Sequence, residues 1–593
     1  MKNINLKNFL LLCLPFIASA LMLTVIQAPI SWAPLAWVSL VPFILASSPT
    51  AKPKHLFLFA YLTSLCYWLA NIYWIAPITF LGWSTLCLYT ALLWPILALC
   101  LRYCRIKKIP LFLAAAVLFV GAERLQGLFL GGFFWRHLSH SQYANITLIQ
   151  IADIFGAAGV SFLVAMVNGL LAELFIAAQQ KTLIKGNNLL KTAVVCAALL
   201  AAVFYGRWRI NQSDKFVTQG PLVASLQSNV PQWIKTEALR GETEVAEQTS
   251  QELFDELMQK SKAGLAEGAE LIIWPETMVQ ATLNEGILAY LDPLSQPKLF
   301  DKALSQHATN NAYLLIGAYG GTLGLQGGQP VLTTRYNSAF LYRPDGKKDP
   351  KQYSKIHLVL FGEVLPFRKS FPPLFNLLMK FNPYGYDHSL DAGTEYTVFE
   401  MTEPPANSTS DSQARTYKFS VIICYEATLP AIVRRFVLDR QGQKQINWLI
   451  NISNDGWFVR FKSDKVLPST ELPQHAAICV FRAVENRLAV VRSVNTGISC
   501  IIDTLGQLKN GYLAGTLPDN AMERKGMAGW FVDKLPIDKR TTFFSKYGQW
   551  LDVCCALCLV LLIIITALVR IIPNKKYVIS VQRRKNEKIW KKR

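Results

Sequence analysis

The chain has 593 residues, 52% of them hydrophobic, with a formal net charge of +21; it is too long for one ordinary domain and too apolar for an average soluble protein. The charge does not indicate nucleic acid, because the largest basic cluster is a tail (Lys575, Lys576, Arg583, Arg584, Lys585, Lys588, Lys591, Lys592 and Arg593) that follows an apolar segment. Such a tail suits anionic lipid headgroups, whereas a nucleic-acid reader interleaves basic and aromatic residues in one folded module.

Apolar runs near the roughly 20 residues needed to cross a bilayer fall at about 7–27, 33–49, 55–77, 79–101, 109–130, 154–178, 189–207 and 549–572. That predicts eight spans, the second short enough to be re-entrant. The first also carries a signal-like Ala18-Ser19-Ala20 after Lys2 and Lys7, but the run continues through Ile26 as an anchor would. Nine of the twelve cysteines lie in these stretches, where a thiol acts as a small hydrophobe.

Basic residues of short loops are retained in the cytoplasm. Here they alternate: Lys52 and Lys54, then Arg102, Arg105, Lys107 and Lys108, then Lys181, Lys185 and Lys191 follow the even-numbered spans, and only Arg136 breaks the pattern. Both termini are therefore expected in the cytoplasm. The expected domains are a membrane part at 1–207, a soluble-like part at 208–548 on the far side, periplasmic in a bacterium, and a last span with its basic tail at 549–593.

From Pro221 onward, short β-branched runs alternate with helical segments. Strands are predicted at Leu222–Val230, Leu271–Trp274, Ala312–Tyr319, Ser338–Tyr342, Phe419–Cys424, Trp448–Ser453, Ala489–Ser493 and Ile498–Asp503, with amphipathic helices at Glu242–Lys262 and Gln474–Asn486. This alternation predicts an α/β layered fold. The polar run Glu403–Arg415 reads as a surface loop.

Three stretches could carry chemistry. In Ile273-Trp274-Pro275-Glu276 a strand ends in an acid beside a rigid proline, placed to be partly desolvated as a general base requires; a simple turn acid is the competing reading. In Tyr353-Ser354-Lys355-Ile356-His357-Leu358-Val359-Leu360-Phe361-Gly362-Glu363 a lysine among apolar residues could steady an oxyanion, or could merely snorkel and pair with Glu363. In Val421-Ile422-Ile423-Cys424-Tyr425-Glu426 a strand stops at a cysteine where the chain turns toward a helix, a setting for a reactive thiolate, though also for an inert buried thiol.

In this order, the WPE, YSKIHLVLFGE and CYE stretches resemble the nitrilase superfamily, and with the spans the whole chain is similar to its apolipoprotein N-acyltransferase family. The resemblance extends to Gln227–Gln232, Asn451–Phe458 and Arg492–Gly497; it departs at Leu360, where proline is usual. It implies a multi-span helical membrane domain plus a nitrilase-like α-β-β-α sandwich, with Glu276, Lys355 and Cys424 as a catalytic triad. It further implies that Cys424 takes an acyl chain from the sn-1 ester of a phospholipid such as phosphatidylethanolamine. The thioester is then passed to the α-amine of a diacylglyceryl-cysteine at an apolipoprotein's N-terminus. Glu363 and Glu426 would orient Lys355 and the amine, Tyr425 would shape the pocket, and Trp233 and Asn454 would support or bind substrate. No metal or organic cofactor is implied, and a monomer in the bacterial inner membrane is expected. The rival reading of the same residues is a membrane-anchored amidase acting on a small amide. The apolar segment Phe371–Phe381 reads as an arm dipping into lipid, or as a flap on the domain's own core.

Overall fold

The computed structural model describes residues 6–128, 131–232, 244–327, 329–368, 370–380, 387–403, 414–462 and 465–571. Trp233, residues 404–413 of the polar run, Phe381 and the basic tail lie outside them. Helices Leu6–Val25, Pro53–Asn71, Phe80–Ala91, Leu93–Ile106, Leu111–Gln126, Ala157–Gln179, Gly186–Asn211 and Trp550–Ile571 occupy the apolar runs. Among the described residues, four stretches are long and apolar enough to cross a membrane: Phe80–Ile106, Ala157–Gln179, Gly186–Asn211 and Trp550–Ala567. The run at 33–49 is not one continuous helix. It splits into a 3-10 turn, Ala33–Trp37, and a short helix, Val41–Ala46, each with a proline in its first two positions, where the ring's fixed φ starts a helix but cannot continue one.

Small residues let these helices approach closely, as expected where lipid offers no hydrophobic drive for association. A Cβ on Gly169 would lie 2.3 Å from the Leu111 carbonyl oxygen, and one on Gly121 would lie 2.6 Å from that of Cys555. The C-terminal helix is thus packed into the N-terminal bundle. The acids near the spans are engaged: Glu173 pairs with Lys191 and accepts from the Leu111 N–H, and Glu123 accepts from the Leu138 N–H at 2.7 Å. Arg136, the odd cation in the loop pattern, is held inside the bundle, donating to the Tyr67 hydroxyl at 2.9 Å and the Leu23 carbonyl at 3.1 Å.

The soluble-like part is built on two main sheets. The first runs β14 (Ala514–Gly515), β15 (Gly529–Asp538), β1 (Val217–Gln227), β2 (Leu271–Ile273), β4 (Tyr313–Gln326), β5 (Gln329–Tyr342) and β6 (Lys348–Ser354), with β3 (Val279–Thr282) pairing β4. The second runs β13 (Cys500–Ile502), β12 (Ala489–Asn495), β9 (Trp448–Asn454), β8 (Arg415–Ile423) and β7 (Phe399–Glu403); a separate hairpin joins β10 (Arg460–Lys462) to β11 (Lys465–Leu467). Side-chain alternation sorts the layers. Leu271, Ile273 and Leu315 point into the core shared by the two sheets, while Ile272, Leu314 and Ile316 pack outward with Phe254, Phe300 and Leu304 of the covering helices Glu244–Ala266 and Gln296–Ala308. Ser225 Oγ to the Arg492 carbonyl (2.9 Å) and Ser493 Oγ to the Leu226 carbonyl (2.8 Å) fasten one sheet to the other.

Over the second sheet lies the helix Glu471–Asn486, every residue of which is buried. One side packs on the sheet through Ala476, Cys479 and Val480; the other meets the membrane helices. Several of its polar groups are matched across that seam: Gln474 accepts from the Trp135 indole (2.7 Å) and donates to the Ala28 carbonyl (2.8 Å), and Glu485 accepts from the Ala157 N–H (2.9 Å). Just beyond, Arg487 binds Asp153 at 2.7 Å, which also takes Arg209 (2.7 Å) and the Tyr205 hydroxyl (2.6 Å). Asp153→Ala would leave the buried Arg487 uncompensated, costing about 3–5 kcal/mol. Thermal unfolding in detergent is expected to show a lower midpoint; an unchanged midpoint would mean the seam does not depend on this network.

Candidate active site

Three loops at the ends of β2, β6 and β8 converge between the sheets and the membrane helices. After β2 the chain turns through Pro275 to Glu276, and that turn passes directly over β4. Gly317 makes this possible, since a Cβ there would sit 2.3 Å from the Pro275 carbonyl oxygen and 2.9 Å from Glu276 Cα. The Glu276 carboxylate is 4% exposed. Asn337 Nδ2 of β5 donates to its Oε1 at 2.6 Å, and the Asn454 N–H, at the end of β9, donates to its Oε2 at 2.7 Å.

Lys355 follows β6 and is 1% exposed. Its backbone N–H donates to the Asn337 carbonyl at 2.8 Å, so one residue of β5 positions both the lysine and the acid. The ammonium lies 2.8 Å from Glu363 and 3.5 Å from Glu276. Burial alone would lower its pKa, but the charges of Glu363, Glu276 and Cys424 outweigh burial and hold it well above the ordinary lysine value. It therefore stays a cation.

Cys424 ends β8 in the left-handed region, φ +54, which a side chain occupies only when its surroundings hold it there. The holding group is Glu426. It accepts from the Ile423 N–H (2.8 Å), the Tyr353 hydroxyl (2.7 Å) and the Ile356 and His357 N–H groups (2.7 and 3.0 Å). Glu426 thus clasps the cysteine elbow to the lysine loop. Two of these donors are the backbone N–H groups directly after Lys355, so Glu426 fixes the lysine loop through its main chain. Burial, then the charge of Glu276, push the Cys424 thiol well above its usual pKa, and Lys355 offsets this only in part. A thiol so placed needs a base beside it to become a nucleophile.

The thiol opens onto a cavity that the membrane part also lines, with Leu86 on the helix Phe80–Ala91 and Trp74 and Ile78 on the turns before it. Leu358, Phe361 and Phe458 line it too, and the Trp74 ring meets that of Phe458 edge-on at 5.0 Å. Tyr425 also lines it, with its hydroxyl donating to the Gly132 carbonyl at 2.6 Å and its ring stacked on His357 at 5.9 Å. The apolar segment after Phe371 forms a helix, Pro372–Met379, with no buried residue, so it is not a flap folded into the domain's core. Three contributors carry no sequence signal of their own: Gly317, Asn337 inside a β-strand, and the Glu471–His475 pair in the cavity wall.

Comparisons with known proteins match two family profiles. The apolipoprotein N-acyltransferase N-terminal domain covers residues 19–170, and the carbon-nitrogen hydrolase family covers residues 222–515. An apolipoprotein N-acyltransferase of Geobacter metallireducens is 28% identical over 87% of this chain and 88% of its own length. Apolipoprotein N-acyltransferase 1 of Treponema denticola is 25% identical over 89% of this chain and 90% of its own. Among solved structures, a Nesterenkonia amidase of the nitrilase superfamily aligns with 57% of this chain and 95% of its own, at 14% identity and a TM-score of 0.32.

Lys355→Met would leave Glu276 and Glu363 buried without their shared cation, and removing one partner of such a pair costs about 3–5 kcal/mol. A lower unfolding midpoint than the parent is expected; a midpoint equal to the parent's would show that the two carboxylates do not rely on the ammonium.

Proposed function

The chain belongs to the apolipoprotein N-acyltransferase family and is an acyltransferase with a carbon-nitrogen hydrolase domain, and from that premise we propose that it N-acylates lipoproteins through a thioester on Cys424. The observation that carries the reading is the cavity: its lining holds the thiol together with residues of the membrane part, Trp74 and Ile78 between two membrane helices and Leu86 on the second of them. A small amide needs no such lining. A lipid tail does, because it must reach the thiol without crossing water.

In the first half of the proposed reaction Glu276 removes the Cys424 thiol proton and the thiolate attacks the sn-1 ester carbonyl of a phospholipid, phosphatidylethanolamine being the expected donor. Negative charge gathers on the carbonyl oxygen, where the Lys355 ammonium and the Tyr425 N–H receive it. The ester C–O bond breaks, Glu276 returns its proton to the leaving oxygen, and a lysophospholipid departs. In the second half the neutral α-amine of a diacylglyceryl-cysteine attacks the thioester and gives a proton to Glu276. The C–S bond breaks, an amide is formed, and the thiol is regenerated. Asn337, Glu363 and the Asn454 N–H act as positioning groups, and Tyr425 shapes the cavity wall. Donor and acceptor use the same cysteine in turn, which makes the kinetics ping-pong.

The proposed setting is the bacterial inner membrane. Residues 1–207 and the helix of 549–593 form the membrane base, residues 208–548 face the periplasm, both termini lie in the cytoplasm, and the enzyme acts as a monomer. The alternating loop charges support this orientation. The basic tail would meet anionic headgroups on the cytoplasmic face.

Incubation of the purified protein with a phospholipid labelled on its sn-1 chain, without acceptor, is expected to place one hydroxylamine-sensitive label on Cys424, found by peptide mapping and absent from Cys424→Ser. Adding a diacylglyceryl lipopeptide should discharge it. If no lipid adduct forms while small amides are hydrolysed, the amidase reading replaces this one.

A further inference from the structure

Glu471 opens the fully buried helix Glu471–Asn486 and, with His475, lines the same cavity as Cys424. It is 1% exposed, and among the described residues neither carboxylate oxygen accepts a hydrogen bond. The cation in reach is His475, whose Nδ1 lies 3.3 Å from Glu471 Oε1 and 3.4 Å from Asp455 Oδ1. Asp455 has further partners, the Ser453 hydroxyl at 2.6 Å and Arg492 at 3.4 Å. Glu471 therefore shares its one imidazole with a better-served acid. Burial and the nearby Asp455 charge hold its carboxyl at about 7. Burial and Arg492 push His475 down, but its two acids outweigh them and hold it at about 10.

A desolvated carboxylate whose one nearby cation is shared with a second acid is a costly group to keep. Glu471 is among the residues lining a cavity whose other lining is largely apolar. The other acids of the site are committed, Glu276 and Glu363 to Lys355 and Asn337, and Glu426 to its four donors. A divalent cation fits poorly, although Asp455, Glu471 and His475 bring ligand atoms within 4.8 Å of one another, because the Arg492 guanidinium beside Asp455 opposes it. A single primary ammonium needs only Glu471, and supplies three donors to it.

We propose that Glu471, backed by His475 and Asp455, is a subsite that binds a primary ammonium group of a substrate inside the cavity beside Cys424. The inference rests on the acyl-transfer reading, which offers two sources of that chemistry: the ethanolamine headgroup of a donor phospholipid and the α-ammonium of the acceptor. In either case the subsite holds the charged form at the cavity wall. An acceptor amine must then leave Glu471 and lose its proton before attacking the thioester.

The test compares the parent enzyme with Glu471→Gln, which keeps the shape and removes the charge. Thioester formation on Cys424 is timed with phosphatidylethanolamine and with phosphatidylglycerol carrying the same sn-1 chain, and KM and kcat are measured for a diacylglyceryl lipopeptide. Loss of one charge-assisted contact corresponds to about tenfold to a hundredfold. A loss of that size in loading from the ethanolamine lipid alone assigns the ammonium to the donor; a rise of that size in lipopeptide KM with loading unchanged assigns it to the acceptor. Equal slowing with both lipids at unchanged KM, or no change at all, overturns the subsite. Parent loading and transfer in the same assay report separately on the underlying reaction, so either claim can fail alone. Should Glu471→Gln not fold by thermal melting, Glu471→Ala, which also removes the charge, carries the same comparison.

Discussion

The site depends on a lysine ammonium kept charged while almost wholly removed from water. Such a group persists only if acids around it repay the desolvation and every remaining donor is directed. Glu363 and Glu276 supply the charge, and Asn337 ties the two acids together while its carbonyl fixes the lysine backbone. From this follow Gly317, which lets the Glu276 turn lie on β4, and Glu426, which draws the cysteine elbow against the lysine loop. The cluster is preorganised before any substrate arrives. In the proposed reaction that matters, because donors fixed in advance stabilise an oxyanion without reorganising at the moment of attack.

A second constraint joins this cluster to the lipid phase. The helix Glu471–Asn486 has no solvent face. Its apolar side completes the sandwich core, and its Gln474 and Glu485 bond with backbone and side-chain groups of the membrane bundle. The membrane part therefore lines the site as well as anchoring it, with Trp74, Ile78 and Leu86 in the same cavity lining as Cys424.

Local patterns in the sequence were legible where one period or one motif sufficed. Apolar runs marked the helices, β-branched runs marked β1, β2, β4, β8, β9 and β12, and the three short motifs pointed to Glu276, Lys355 and Cys424. Proline explains why the 33–49 run, apolar enough on average, breaks into two pieces. Missing from the reading were β3, β6, β7 and β15, whose polar or mixed composition gives no clean alternation, and β10, β11 and β14, which are too short to show a period. Asn337 and Gly317 were invisible for another reason: their significance comes from what lies above them in space, on loops 61 residues away for the Asn337–Glu276 bond. The motif placed Glu426 beside Cys424, but its four donors could not be read from the chain, because three of them come from the lysine stretch brought next to it only by the fold.

The central claim is that the reactive thiol is reached from the lipid phase. The direct measurement is alkylation in lipid vesicles, using a maleimide on a long acyl chain and a charged, water-borne maleimide, with modification of Cys424 quantified by peptide mapping. The account predicts that Cys424 reacts faster with the lipid-borne reagent and that Leu86→Trp, which fills the cavity, suppresses that reaction. Faster reaction with the water-borne reagent, indifferent to Leu86→Trp, would contradict it.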